Sequence, residues 1–116
     1  MTLCDDSLVA VHAARRTLEL NSVTNKVLAS DCAEAVRDVR FNVVATNPPF
    51  RQGLGVEFDV VQQFVRTAAR VLVEGSGRLY LVANRFIRHE RVMSNLFSQV
   101  KTAYEDKRFR VLEAAR

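Results

Sequence analysis

Short apolar runs that each stop at a polar residue are the feature that most restricts how this chain can fold. Four such runs alternate with amphipathic stretches, and they stop at Asp5, Asp31, Asn47 and Asn84. Runs with little apolar–polar alternation are typical of parallel strands that are covered on both faces. Because the carboxyl ends of parallel strands meet at one edge, the four polar residues are expected to share a ligand-binding rim.

The same patterning predicts the order of the elements. The predicted strands are 2–4, 26–29, 41–45 and 79–83, the helices are 8–20, 56–73 and 89–97, a weak helical segment is 33–37, and a hairpin is formed by 100–104 and 109–112. The strand at 41–45 is expected to be buried on both faces. The fold class is therefore α/β, a mainly parallel sheet with a C-terminal antiparallel hairpin and helices on both faces.

Composition narrows the classes of function. The 116 residues fit a single domain and contain neither an apolar run of transmembrane length nor a signal-peptide pattern, so we expect no membrane partner and a cytoplasmic location. Cys4 and Cys32 lack metal-ligand spacing, which predicts buried free thiols and no metal site. The net charge is +4, and the grouping of Arg85, Arg88 and Arg91 suits a polyanionic partner as well as a solvated helix face.

The most informative motif is Asn47-Pro48-Pro49-Phe50, directly after the strand at 41–45. Two prolines hold the backbone extended and remove two hydrogen-bond donors. The side-chain oxygen of Asn47 and a neighbouring carbonyl then form a fixed pair of acceptors for an amino group, and Phe50 offers a flat face for a planar ring. Such a pair would orient an amine lone pair toward an electrophile without a covalent intermediate. A tight turn without function is the alternative interpretation.

Asn-Pro-Pro-Phe in this position resembles the catalytic signature of S-adenosylmethionine-dependent amino-methyltransferases. The whole chain is similar to the ribosomal RNA guanine-N2 methyltransferases of the methyltransferase small domain group. The stretches that carry this resemblance are TLCDDS, ARRTLELN, LASD, VVATNPPFRQG, GRLYLVANRF and KRFRVLEAAR. The resemblance implies a partial Rossmann-like class I methyltransferase fold, S-adenosylmethionine as the cofactor, and ribosomal RNA or the small ribosomal subunit as the partner.

The resemblance also implies roles on the cofactor side. Asp5 would bind the ribose hydroxyls of S-adenosylmethionine, or Asp6 would do so if the register differs by one residue. Asp31 would contact the adenine amino group, with Cys32 beside it, and Asn47 would border the cofactor. The alternatives are a charge at a helix N-terminus for Asp5 and a solvated strand end for Asp31.

On the substrate side, the resemblance implies a catalytic set of Asn47, Pro48, Pro49 and Phe50. Asn47 and the Pro48 carbonyl would hold the guanine 2-amino group, and Phe50 would stack on a base that has left its own stack. The family often has His where this chain has Arg51, a cation that could grip a phosphate instead. The residues expected to contact RNA are Phe50, Arg51, Asn84, Arg85 and Arg88.

One feature of the family is missing from the sequence. The family begins its cofactor domain with a strand and a glycine-rich loop, whereas the four glycines of this chain are Gly53, Gly55, Gly75 and Gly77. We therefore expect an incomplete catalytic domain over 1–116, completed by a missing N-terminal segment or a second copy, with weak or absent cofactor binding and activity alone. A non-catalytic RNA-binding remnant and an N6-adenine methyltransferase of the same superfamily are the alternatives.

Overall fold

The computed structural model describes the backbone of residues 1–48 and 56–116, and the side chains of 1–48 and 60–116. It has two compact units, Met1–Arg37 and Asp38–Arg116. The described strands form a two-stranded sheet in the first unit and a four-stranded sheet in the second. The assignment of residues 1–116 to one domain stays a prediction.

The first unit has a strand–helix–strand order. Its elements are β1 (Thr2–Asp5), α1 (Leu8–Leu20), β2 (Lys26–Ala29) and a 3₁₀ turn (Glu34–Val36). β1 and β2 pair in parallel, with Asp5 opposite Ala29. Ser7 caps α1, because its Oγ accepts a hydrogen bond from the backbone N–H of Ala10 at 3.3 Å. The predicted strands and the predicted helix start of this unit are confirmed.

The second unit contains the longer elements. They are β3 (Val43–Thr46), α2 (Val56–Val71), β4 (Arg78–Asn84), α3 (Glu90–Ser94), β5 (Gln99–Glu105) and β6 (Phe109–Ala115). The strand order is β3-β4-β6-β5, in which β3–β4 is parallel and the other two pairs are antiparallel. The α/β class and the C-terminal hairpin are confirmed. Counting β1–β2, the described strand pairs are half parallel and half antiparallel.

In β4 and β6 every second side chain is buried, and these side chains build the core of the second unit. Leu79 and Leu81 of β4 and Leu112 of β6 are fully buried, and they belong to one cluster with Val65 of α2 and Met93 of α3. Fully burying one such side chain stabilises the fold by about 1.5–3 kcal/mol. This packing fixes the ends of β4 and β6, where the polar residues of interest lie.

The predicted two-sided burial of the strand at 41–45 is wrong. Val43 and Ala45 are exposed, and 56% of Val43 is accessible to solvent. Val44 packs against the core cluster, so β3 buries only one face. Within the described residues β3 pairs with β4 alone, which makes it an edge strand of its sheet.

Two predicted helices are shorter than the periodicity suggested. α2 ends at Val71, because the backbone that follows pairs with Phe41: the Val73 N–H donates to the Phe41 carbonyl at 2.9 Å. The helix predicted at 89–97 is α3, Glu90–Ser94, and it ends in a turn at the Met93 carbonyl, which accepts the N–H groups of Leu96 and Phe97.

Candidate functional site

Asp5 ends β1 and lies exposed at the start of α1. Its Oδ1 accepts a hydrogen bond from the Ser7 N–H at 2.8 Å, and its backbone carbonyl accepts one from Ser30 at 2.9 Å. The first bond orders the helix start, in line with the alternative interpretation of Asp5 as a helix N-terminal charge. It occupies one carboxylate oxygen, so the second oxygen is available to accept from a ligand. Asp6, the neighbouring candidate, is also exposed.

Asp31 follows β2 and is held by a tight turn. The Ser30 side chain is buried, and its Oγ accepts a hydrogen bond from the Ala35 N–H at 3.0 Å. The carbonyl of Asp31 accepts the Glu34 N–H at 3.1 Å, which starts the 3₁₀ turn. The Asp31 side chain itself is exposed. It therefore lies at a fixed point of the backbone with its carboxylate open to solvent.

Cys32 has a left-handed backbone, with φ of 52°, a conformation that costs a side-chain-bearing residue some strain. Burial, the charge of Asp31 and a hydrogen bond to Asp31 raise the pKa of the Cys32 thiol to about 11, with smaller effects from Asp6 and Glu34. The thiol is thus neutral at pH 7 and lies among carboxylates. Both cysteines are free, as predicted, but they are only partly buried: Cys4 lies in β1, and Cys32 lies three residues after the end of β2.

Asn47 and Pro48 directly follow β3. Asn47 is exposed and Pro48 is buried. Within residues 1–48 and 56–116, the carboxamide of Asn47 makes no hydrogen bond. Pro49, Phe50 and Arg51 lie outside the described residues. The acceptor pair and the stacking face of Phe50 therefore stay predictions.

Asn84 ends β4 and closes the next turn. Its Oδ1 accepts a hydrogen bond from the Phe86 N–H at 3.1 Å, and its carbonyl accepts one from Ile87 at 3.0 Å. The Asn84 side chain thus has a structural role in the loop. The turn leaves Phe86, a large apolar ring, 83% exposed.

The arginines after Asn84 belong to a loop, which contradicts a solvated helix face for this segment. Arg85 and Arg88 lie between β4 and α3, and only Arg91 is on the helix. Arg85 pairs with Glu105 at 3.3 Å between Nε and Oε1, and its N–H donates to the Arg108 carbonyl at 2.9 Å. Arg88 is 77% exposed and lies 3.9 Å from Glu90, a weak contact. The turn at Asn84 keeps Arg85 and Arg88 outside the helix, which begins at Glu90, within one residue of the predicted start.

A buried arginine of β6 is hydrogen-bonded to this loop. Arg110 of β6 is 4% exposed, forms an ion pair with Glu90, and donates from Nη2 to the Ile87 carbonyl at 2.8 Å. The hydrogen bond with Arg110 is the main reason that the pKa of Glu90 is lowered, and the same bond raises the pKa of Arg110. Arg110 was not among the residues predicted from the sequence. Its position two residues before Leu112, on the buried side of a strand with period two, was the available signal.

The structure brings the predicted residues together within each unit. Because β1 and β2 are parallel, Asp5 and Asp31 lie at the same end of the first sheet. Because β3 and β4 are parallel, with Thr46 opposite Leu81, Asn47 and Asn84 lie at the same end of the second. The convergence of both pairs on one rim stays a prediction.

Within residues 1–48 and 56–116 there is no group of three or more His, Cys, Asp or Glu side chains that could hold a metal ion. Over the same residues, no helix is long and apolar enough to cross a membrane.

Comparison with known proteins identifies the family. Residues 1–113 match the family model described as Methyltransferase small domain. The chain belongs to the methyltransferase small domain family. The resemblance drawn from the motifs is thereby confirmed for nearly the full length of the chain.

Individual relatives point to one branch of this family. Ribosomal RNA small subunit methyltransferase C from Escherichia coli O7:K1 is 39% identical over 114 residues, and the protein of that name from Hahella chejuensis is 41% identical over 114 residues. Each alignment covers 98% of this chain and 33% of the relative. The chain therefore spans about a third of the length of the curated relatives it matches.

Solved structures agree with the fold. The T. thermophilus 16S rRNA N2 methyltransferase RsmC, in complex with AdoMet and guanosine, superposes with a TM-score of 0.89 and 34% identity, covering 99% of this chain and 31% of that one. A methyltransferase from Pyrococcus furiosus gives a TM-score of 0.73 at 18% identity, covering 97% and 60%. The second likeness concerns the fold alone, and together they confirm the methyltransferase fold.

Proposed function

We propose that this chain is part of the catalytic domain of an enzyme that transfers a methyl group from S-adenosylmethionine to the exocyclic N2 amine of a guanine in ribosomal RNA. The observation that carries the proposal is the match over 99% of the chain, at a TM-score of 0.89 and 34% identity, to an rRNA N2 methyltransferase bound to AdoMet and guanosine. The substrate is ribosomal RNA or the small ribosomal subunit. We therefore place the enzyme in the cytoplasm.

The residues of the first unit fit the polar parts of the cofactor. Asp5 and Asp31 offer exposed carboxylates at neighbouring ends of parallel strands, the usual position for nucleotide-binding acids in α/β sheets. Asp5 would accept from the ribose hydroxyls with the oxygen that Ser7 does not use. Asp31 would accept from the adenine amino group. The bound cofactor supplies the electrophilic methyl group.

Cys32 and Asp6 contribute differently to the cofactor site in this proposal. With its pKa at about 11, Cys32 remains a neutral thiol at pH 7 and adds no charge beside the adenine. Asp6 would bind the ribose hydroxyls if the Asp5 carboxylate serves only the start of α1. The carboxylates of Asp31 and Asp6 both raise the pKa of the Cys32 thiol, with Asp31 contributing more than Asp6.

On the substrate side, Asn47 would act on the target amine. Its exposed carboxamide oxygen and the Pro48 carbonyl would accept the two amine hydrogens, which favours a pyramidal nitrogen with its lone pair directed at the methyl donor. Pro49 would keep the loop extended and Phe50 would stack on the guanine. Arg51, with Asn84, Arg85 and Arg88, would contact the RNA around the target.

The test is methyl transfer from labelled S-adenosylmethionine to unmodified small-subunit RNA, with nucleoside analysis of the product. N2-methylguanosine is expected as the product, formed only slowly because this chain alone is expected to bind the cofactor weakly. Asn47→Ala should lower even this rate by about 10²-fold or more, as for loss of a transition-state contact. Asn42→Ala, an exposed amide close to the same strand, is the matched control. N6-methyladenosine would support the adenine alternative, and RNA binding without transfer would support the remnant. Full activity of Asn47→Ala would refute the assignment of Asn47.

A further inference from the structure

We propose that the exposed end of the second sheet at residues 84–88 and 105–109, here called the turn surface, binds the unpaired RNA that flanks the target nucleotide, with one base stacked on Phe86. This rests on the proposed function only for the identity of the RNA. The surface itself lies wholly within the second unit and is described by its own contacts.

The two segments of the turn surface form one continuous structure. β4 and β6 pair with Asn84 opposite Phe109, which places the loop after β4 beside the β5–β6 turn. The Arg85 N–H donates to the Arg108 carbonyl at 2.9 Å, and the Arg85 and Glu105 side chains pair at 3.3 Å. A nucleotide chain that crosses this edge would meet both segments.

Exposed aromatic rings are the first chemical feature of this surface. Phe86 is 83% exposed, and Tyr104 and Phe109 nearby are also exposed. Exposure of a large apolar ring to water does not stabilise the fold. Unpaired bases, however, stack on the flat faces of such rings. Phe86 contributes the largest exposed face, so we place the stacked base there.

Positive charge is the second feature. The turn surface carries four cations, Arg85, Arg88, Lys107 and Arg108, against two acids, Glu105 and Asp106. Both acids already have partners: Glu105 pairs with Arg85, and the Oδ1 of Asp106 accepts the N–H groups of Arg108 and Phe109 at 2.8 Å each. The remaining positive charge suits phosphates.

Rigidity is the third feature. Arg110 holds the Ile87 carbonyl from the buried side, and Asn84 holds the Phe86 N–H. The loop that carries Phe86 is therefore fixed at both ends before any partner arrives, which lowers the entropic cost of binding. An aromatic ring exposed on a braced loop fits a binding platform better than an incidental exposure.

Single-stranded RNA fits these features better than a duplex. Bases in an A-form duplex are stacked on one another, and their faces are unavailable to Phe86, whereas bases in loops can splay onto aromatic side chains. Asn47 lies at the same end of this sheet as Asn84, on the neighbouring strand. The segment bound at the turn surface would thus be continuous with the RNA that presents the target base to Asn47.

The test is fluorescence anisotropy with labelled RNA and no cofactor present. The probe is an unpaired RNA of about 12 nucleotides, within the size range of single-strand sites, with a duplex of the same length as comparison. Phe86→Ala should weaken binding about tenfold, the usual effect of losing one stacked base, and Phe86→Trp should retain it. Val9→Ala, equally exposed on α1, should have no effect.

Arg88→Ala should reduce the slope of log affinity against log salt by about 0.7. Arg66→Ala removes an exposed cation of α2 and should leave the slope unchanged.

The proposal would be overturned if Phe86→Ala bound the RNA within twofold of the unsubstituted chain, or if Val9→Ala lost as much RNA affinity as Phe86→Ala. It would also be overturned if the chain preferred the duplex or did not bind the unpaired probe. The result is separable from the proposed function. If methyl transfer fails while Phe86→Ala still weakens RNA binding, the turn surface stands without the enzyme. If transfer proceeds and Phe86→Ala binds RNA normally, the enzyme stands without the turn surface.

Discussion

The guanidinium of Arg110 donates to the carbonyl of Ile87 across 2.8 Å and so ties β6 to the loop that carries Phe86. Arginine is rarely buried unless it is paired, and Arg110 is 4% exposed. Its second partner, Glu90, begins α3. One side chain therefore links a strand, a loop and a helix. Its removal should affect both stability and the geometry of the turn surface.

Arg110→Ala should lower the free energy of unfolding by about 2–3 kcal/mol in urea denaturation. Breaking a buried ion pair costs about 3–5 kcal/mol, and the smaller value is expected because 35% of the Glu90 side chain remains exposed. The double variant Arg110→Met with Glu90→Leu should recover part of this loss. Arg108→Ala, on the exposed turn, is the control and should change stability by no more than about 0.5 kcal/mol. A similar small change in Arg110→Ala would contradict the role of Arg110.

The same pair predicts a pH dependence. Arg110 lowers the pKa of the Glu90 carboxyl in the folded state from its ordinary value of 4.5. The stabilisation by the pair is therefore complete above pH 4.5 and is lost as the pH falls through the lowered folded-state pKa. The stability difference between the unsubstituted chain and Glu90→Gln should be constant near neutral pH and shrink below pH 4.5. A difference that grows in acid would show that Glu90 is not held as a carboxylate by Arg110.

Cys32 should react slowly with iodoacetamide. A pKa of about 11 leaves far less thiolate at pH 8 than an ordinary thiol has, about 10²-fold less. Asp31→Asn removes the charge at this position and alters its hydrogen bond to the thiol, the two largest causes of the shift after burial, and should therefore speed alkylation of Cys32. Mass spectrometry after proteolysis separates Cys32 from Cys4, whose pKa is raised by burial and whose rate should not change. Unchanged Cys32 reactivity in Asp31→Asn would place the carboxylate away from the thiol.

Asp5→Asn should weaken binding of S-adenosylmethionine by about tenfold, because a charged acceptor to a hydroxyl is replaced by a neutral one. Isothermal titration up to millimolar ligand measures this even where binding is weak. Asp38→Asn, an exposed carboxylate at the start of the second unit, is the control. If Asp6→Asn weakens binding and Asp5→Asn does not, the ribose is bound one residue later than proposed.

Local signals in the sequence were sufficient for most of the fold. Ser7 predicted the start of α1 because a hydroxyl cap acts within three residues. The apolar period of two in the tail predicted the hairpin, since pairing of adjacent strands needs only a short turn. Both signals concern neighbours along the chain.

Features that depend on distant residues were harder to predict. The exposure of Val43 depends on which strands flank β3, a property of the sheet and not of the strand. The burial of Arg110 depends on Glu90 and Ile87, which lie about a fifth of the chain away and compensate its charge. Candidate residues could be named from motifs, whereas their supporting contacts could not.

The backbone bond between Arg85 and Arg108 has an evolutionary consequence. The turn surface is framed by main-chain hydrogen bonds, by the amide of Asn84 and by Arg110, none of which needs a particular side chain at Phe86, Arg88 or Lys107. Those three positions are free to vary while the frame persists. If the turn surface binds RNA as proposed, related proteins can change which RNA segment they prefer through a few surface substitutions. An exchange of residues 86–88 between relatives should then transfer that preference without refolding the domain.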